Sequence, residues 1–211
     1  MPVAAPALSD EDIYQRLIEA IVDQRLLPGT KLVEDKLGQA FGVSRTRIRQ
    51  VLIRLAQEQV VTMQPNKGAS IAEPTVDEAR EVFEARSVIE SVLVRRFMSE
   101  VSLGQREAAL QALAECIEAE EAARQAGDHA MALRQSGRFH LLLAQAAGHE
   151  TFARFLHKLV SRTSLILMSY APVAHSRPLL GGAPVRWVEA CRCDEHRTLL
   201  AALRATGGRR A

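Results

Sequence analysis

The stretch LGQAFGVSRTRIRQVLIRL, residues 37–55, decides the fold, because it reads as two helices joined by a tight turn. Gly42 follows the last apolar position of the first helix and stops it, and Ser44 caps the second. Along the second helix Ile48, Val51, Leu52 and Leu55 recur at the i, i+3, i+4, i+7 spacing of a face turned to a core. The opposite face carries Thr46, Arg47, Arg49, Gln50, Arg54 and Gln57, with Arg45 in the first turn and Ile53 also pointing outward.

The flanking sequence completes a small domain. Ser9 and Asp12 have the spacing of a capping box ahead of Ile13, Leu17, Ile18, Ile21 and Val22, so a first helix is expected, stopping near Leu27 before Pro28-Gly29. The helix before the turn should begin at about Val33, and the one after it should reach about Gln59. Val60 to Met63 reads as a strand, Pro65-Asn66-Lys67-Gly68 as a turn, and Ala69 to Ala72 as the returning strand. This outline is a winged helix-turn-helix over residues 1–74. Glu73-Pro74-Thr75 then serves as a linker, and the period is helical almost throughout, at about 76–100, 103–126, 128–147, 150–170 and 185–205, with 171–184 as one long loop. The expected fold is mainly α: a winged helix-turn-helix followed by an all-α antiparallel helical bundle over 75–211.

Composition limits the function classes. Of the 211 residues 47% are hydrophobic, 25% charged and 4% aromatic, which suits a helical globular chain. The net charge of +2 indicates no partner by itself, but residues 44–70 hold five cations (Arg45, Arg47, Arg49, Arg54, Lys67) against one anion, Glu58. No signal-peptide order is visible, and apolar runs fall short of the ~18 residues that span a bilayer. Three cysteines cannot all pair within one chain. The expectation is a cytoplasmic protein with no membrane partner.

A cationic face on a capped helix suits DNA. The planar fork of an arginine in the first turn matches the two acceptors of guanine in the major groove, so Arg45 is the candidate base reader. Arg49 and Arg54, farther along, are placed for phosphates, which supply affinity without sequence information. The run Leu37-x-x-x-Phe41-Gly42-Val43-Ser44-Arg45-Thr46-x-Ile48-Arg49, then Leu52-x-x-Leu55 and Lys67-Gly68, resembles the signature of GntR-family regulators. The resemblance implies that Arg45 reads bases, that Thr46 and Arg49 hold phosphates, and that the wing around Gly68 enters the minor groove. Arg47 stands where many relatives carry proline, and Gln50-Val51 where Glu-Ala is usual, so Arg47 adds a contact and the preferred operator is expected to shift.

In the helical part, Arg86 interrupts the apolar line Val82, Ile89, Leu93, Phe97, and Arg162 interrupts Phe155, Leu159, Ile166. A guanidinium facing inward needs a partner. For Arg86 this is either a carboxylate effector or an internal glutamate, Glu90 or Glu120. His140 and His196 also fall on inward faces. The segments Val82-Phe83-Glu84-Ala85-Arg86-x-x-Ile89-Glu90, Arg138-Phe139-His140-x-x-Leu143 and Asp194-Glu195-His196-Arg197-x-Leu199-Leu200-x-Ala202-Leu203 resemble the FadR-type branch, with its FCD-like effector domain.

That resemblance implies a bundle that binds a ligand, and the inward-facing Arg86 and Arg162, with His140 and His196, are the candidate effector-binding residues. It also implies a divalent metal (Zn, Ni or Mn) held by one Asp and three His, of which His140 and His196 are present. Ser136 stands in the Asp position, and the chain stops where the last His and a closing helix would come. Cys191-x-Cys193-x-x-His196 lacks the partner pair of a structural zinc site and reads as half-buried cysteines. The function expected is a homodimeric, ligand-responsive repressor of a pseudo-palindromic operator, responding to an organic acid. The alternatives are a metal-dependent helical enzyme and an architectural DNA binder without a ligand.

Overall fold

Side-chain caps set where the helices begin. The computed structural model describes residues 8–23, 25–170 and 193–207. Ser9 Oγ accepts from Asp12 N at 3.1 Å while the Asp12 carboxylate accepts from Ser9 N at 2.8 Å, and this reciprocal pair opens α1 (Asp10–Val22). After a short strand β1 (Lys31–Leu32), α2 (Glu34–Phe41) ends at Gly42, whose φ of 65° is a left-handed conformation that a Cβ disfavours. Ser44 then caps α3 (Arg45–Gln57). Strands β2 (Val61–Gln64) and β3 (Gly68–Ile71) form the wing, and the turn between them places Asn66 and Gly68 at φ of 62° and 82°.

Two details differ from the sequence expectation. α1 ends at Val22, well before Leu27: Asp23 N bonds Glu19 O and Leu26 N reaches back to Ala20 O, turning the chain toward the sheet. There β1 pairs antiparallel with β3, Lys31 opposite Ser70 and Leu32 opposite Ala69, giving the strand order β1-β3-β2. A two-residue strand has no alternation to detect, so β1 was not expected. β2 pairs with β3 from Val61 opposite Ile71 to Gln64 opposite Gly68. Ile13 and Leu17 of α1, Ile48, Leu52 and Leu55 of α3, and Ile71 of β3 are fully buried together. Each such side chain contributes about 1.5–3 kcal/mol of burial.

The chain divides into two compact units at Pro74–Thr75. The second is all helical: α4 (Val76–Glu100), α5 (Leu103–Gln125), α6 (His129–Ala146), α7 (Glu150–Tyr170) and α8 (Cys193–Gly207). Thr75 and Glu78 form a second capping box, and Asp128 Oδ1 accepts from Met131 N at 2.8 Å to start α6. α5 packs on α6 and α8, and α4 on α6 and α7. Their core is Leu93, Phe97, Leu113, Phe139, Leu143 and Leu156, closed by Leu200 and Leu203 of α8. The expected loop 171–184, residues 185–192 of the last helix and Cys191 lie outside the described residues.

Candidate nucleic-acid interface and effector cavity

With Ile48, Val51, Leu52 and Leu55 of α3 buried, the helix is fixed in rotation, and Arg45, Thr46, Arg49 and Gln50 are exposed on its other side. Arg45 is not a loose cation. Its Nε donates to Glu34 Oε2 at 2.7 Å, and Nη1 lies 3.6 Å from Asp35 Oδ2, both in the first turn of α2. The hydrogen bond to Glu34, and then the charge of Asp35, hold this guanidinium above its ordinary pKa.

Arg47 turns toward the start of α1, where it donates to Asp10 Oδ1 from Nε at 2.8 Å and to Leu8 O from Nη2 at 2.6 Å. Arg54 leans over the Tyr14 ring, 3.8 Å from its centroid, and pairs with Glu11. Burial acts to lower the Arg54 pKa, but Glu11, Tyr14 and Glu58 outweigh it and raise the group. Among the described residues Arg49 and Lys67 have no ion-pair partner, and Lys67 stands exposed beside Gly68 at the wing tip. The seven residues singled out in the sequence thus separate: Arg45, Thr46, Arg49, Lys67 and Gly68 are presented outward, while Arg47 and Arg54 are tied to α1.

In the helical unit, α4, α6 and α8 line an open cavity of about 570 Å³, bordered by Phe83, Arg86, Ser87, Glu90, Ser91 and Val94 of α4, Ser136 and His140 of α6, and Glu195, His196 and Leu199 of α8. Arg86, His140 and His196 meet there; Arg162 does not line it. Arg86 Nε donates to Glu90 Oε1 at 2.8 Å, so one of the two glutamates considered for it is its partner. The same Glu90 oxygen lies 3.0 Å from His140 Nδ1. His140 Nε2 faces His196 Nε2 at 3.1 Å, and His196 Nδ1 lies 2.9 Å from Glu120 Oε2. Glu120 is fully buried and takes a second bond from Arg124 at 2.9 Å. Phe139 stacks on the His196 ring with centroids 4.3 Å apart, which fixes the plane of the imidazole.

The result is a row of alternating charge and imidazole: Arg86, Glu90, His140, His196, Glu120, Arg124. Burial works against the Glu90 carboxylate, yet His140 and Arg86 hold it down at about 2. Burial likewise opposes ionised Glu120, and His196 and Arg124 overcome it, so this carboxyl also sits below its ordinary value. His140 is pushed down by burial, with Arg86 and His196 adding to the effect against Glu90. Arg86, permanently charged, is therefore the durable partner of Glu90.

The donor set does not fit a resident metal. Two ring nitrogens converge, but Ser136 occupies the position one turn before His140 where the resemblance expects Asp, and Glu90 and Glu120 face the outer Nδ1 atoms instead. Among the described residues no group of three His, Cys, Asp or Glu is placed to hold an ion, whereas protein zinc sites use three or four protein ligands. Arg162 is buried in α7, with Nη2 3.4 Å from Glu78 Oε2, beside the small cluster of Ala79, Val82 and Ile166. Burial lowers its pKa against the pull of Glu78. Sequence reasoning missed the anionic partners of α3, whose signal was the acidic first turns of α1 and α2, and the direct His140–His196 contact, which joins residues 56 apart and has no local signal.

Comparison with known proteins bears on both units. The family model described as bacterial regulatory proteins, gntR family, matches residues 9–71, and the FCD domain model matches residues 81–211. An uncharacterized HTH-type transcriptional regulator in an unstable DNA locus of Streptomyces ambofaciens is 41% identical over 81 residues, 38% of this chain and 33% of that protein. The transcriptional repressor RspR of Escherichia coli is 29% identical over 96 residues, 46% of this chain and 42% of that protein. The chain thus spans less than half the length of these two curated relatives. Among solved structures, McbR/YncC of E. coli superposes with a TM-score of 0.73 at 20% identity, over 94% of this chain and 88% of that one. A GntR-type regulator from Rhodococcus does so with a TM-score of 0.65 at 19% identity, over 96% and 99%. At these identities the two structures show the fold.

Proposed function

The chain belongs to the gntR family of bacterial regulatory proteins and carries its FCD domain, and from that premise we propose that it is a homodimeric repressor whose grip on operator DNA is set by a small carboxylate metabolite. The family is one of transcription regulators and not an enzyme class. Residues 1–74 are the DNA-binding domain and residues 75–211 the effector-binding and dimerisation domain. The observation that carries the reading is the capped α3 with its apolar face buried and Arg45, Thr46 and Arg49 exposed on the other.

Arg45 reads a guanine, Thr46 and Arg49 hold phosphates, and Lys67 with Gly68 brings the wing to the minor groove. Arg47 and Arg54 add contacts by exchanging their carboxylate partners for phosphates. Two subunits related by a two-fold axis place two recognition helices about 34 Å apart, one turn of duplex, so the operator is a pseudo-palindrome. Repression is supported by relatives named as repressors. Among the described residues no helix is long and apolar enough to cross a membrane, and a DNA-binding regulator works in the bacterial cytoplasm.

The effector enters the cavity at Arg86. Glu90 uses only the Nε donor, which leaves the terminal nitrogens for a second carboxylate, and His140 and His196 border the same space. Arg162, outside that lining, responds through its pair with Glu78 on α4, the helix that also carries Arg86. Arg86 is the one cationic residue among the described residues lining the cavity, and its terminal nitrogens offer a paired donor to a carboxylate. An effector that prefers one arrangement of the dimer shifts the population away from the spacing that fits both half-sites.

Two experiments test this. A mobility-shift titration on the DNA upstream of the chain's own gene should lose at least about tenfold in affinity for Arg45→Ala combined with Arg49→Ala; unaltered binding would refute the assigned surface. A thermal-shift screen over small mono- and dicarboxylates should raise the Tm, by the equivalent of about 2.7 kcal/mol at a hundredfold excess over Kd, and Arg86→Gln should abolish that response.

A further inference from the structure

Phosphates repel carboxylates, so an anion beside the leading arginine of a DNA-reading helix needs a reason to be there. Glu34 and Asp35 stand there, both from the first turn of α2. Their surroundings differ. The Glu34 side chain is 15% exposed and accepts from Arg45 Nε at 2.7 Å, which fixes the plane of the guanidinium and leaves its Nη1–Nη2 end for a base. Asp35 is 64% exposed and reaches only to 3.6 Å from Nη1, so most of its carboxylate faces solvent. Buttressing Arg45 needs one carboxylate, and Glu34 provides it.

We propose that Asp35 is a specificity-determining residue of the DNA interface, its carboxylate accepting a hydrogen bond from the exocyclic amino group of a cytosine adjacent to the guanine read by Arg45. The inference rests on the proposed DNA-facing role of α3. If the Arg45 fork stands over base edges, a carboxylate 3.6 Å from it stands there too. In the major groove guanine and thymine present acceptors, which repel an anion; adenine presents a donor beside an acceptor; cytosine presents only the N4 donor. A carboxylate therefore rejects three of the four bases to some degree and favours the fourth. Against the phosphate backbone the same group costs affinity, so its benefit lies in discrimination between sequences rather than in strength of binding.

The test uses the full-length chain. Selection from a pool of randomised duplexes defines the preferred half-site, and competition titrations then compare duplexes changed at one base pair at a time. The wild-type chain should prefer cytosine at the position beside the Arg45 guanine by about tenfold. Asp35→Ala should lose that preference while binding unrelated duplex at least as tightly, because an anion has left the interface. Asp35→Asn, which keeps the shape and sets an amide donor beside the remaining acceptor, should shift the preference toward adenine, whose N6–N7 edge matches that pair. Asp35 is exposed, and circular dichroism of each variant verifies the fold. An Asp35→Ala chain with an unchanged base ranking and only a uniform change in affinity overturns the proposal. Arg45→Ala measured on the same duplexes separates the two levels: if it leaves the guanine preference intact, the DNA-facing reading of α3 fails and the Asp35 role falls with it.

Discussion

Arg54 is one cation serving three neighbours. It lies 3.8 Å above the Tyr14 ring, pairs with Glu11, and approaches Glu58 Oε1 at 3.7 Å. Glu58 is buried, and its other oxygen accepts from the Tyr14 hydroxyl at 2.6 Å. A buried carboxylate that loses a donor keeps its desolvation cost. Tyr14→Phe preserves the ring under Arg54 and removes only that donor, so it isolates the bond. The expected loss is about 1–3 kcal/mol of unfolding free energy in urea, toward the lower end because Arg54 stays close. A variant as stable as the parent would show that Glu58 draws nothing from Tyr14. The aromatic residue belongs to a helical face that the sequence displays, but its pairing with a glutamate 44 residues away does not follow from any local pattern.

At the scale of elements, what could be read in advance was what is decided within four or five residues. Capping at Ser9 and Ser44, the stop at Gly42 and the turn at Asn66-Lys67-Gly68 are local chemistry, and the helices and wing follow from them. The i,i+4 pair of Arg86 and Glu90 was accessible for the same reason. The early end of α1, the two-residue β1 and the contact between the two histidines are set by partners distant in sequence, where periodicity carries no information. The contribution of one cap is measurable. Ser44 Oγ accepts from Arg47 N at 3.4 Å, a long bond, so Ser44→Ala should cost about 0.5–1 kcal/mol in chemical unfolding. It should also weaken DNA binding and blunt the guanine preference, since a frayed first turn displaces Arg45 from the base edges. Undiminished binding and base preference in Ser44→Ala would mean that the cap is not needed to hold Arg45 in place.

At the scale of the whole molecule, the buried row across α4, α6, α8 and α5 makes stability depend on pH in a direction fixed by its members. His140 titrates below its ordinary value of 6.5 in the folded chain. The unfolded chain therefore takes up a proton that the folded one refuses, and stability declines as pH falls through 6.5. Glu90 and Glu120 are also depressed, from 4.5, so their contribution is complete above that pH and is lost below it, for Glu90 over the range from 4.5 to about 2. That shift corresponds to about 3 kcal/mol for Glu90. All three groups act in the same sense, and acid has two stages of effect: a shallow loss of Tm between pH 7.5 and 5.5 from the imidazole, then a steeper one below 4.5 from the carboxylates. Calorimetry on the full chain should show both, with His140→Gln flattening the first stage and Glu90→Gln weakening the second. A parent chain with constant Tm from pH 7.5 to 5.5, or a His140→Gln variant with the parental slope, would mean that His140 is as readily protonated in the folded bundle as in the open chain.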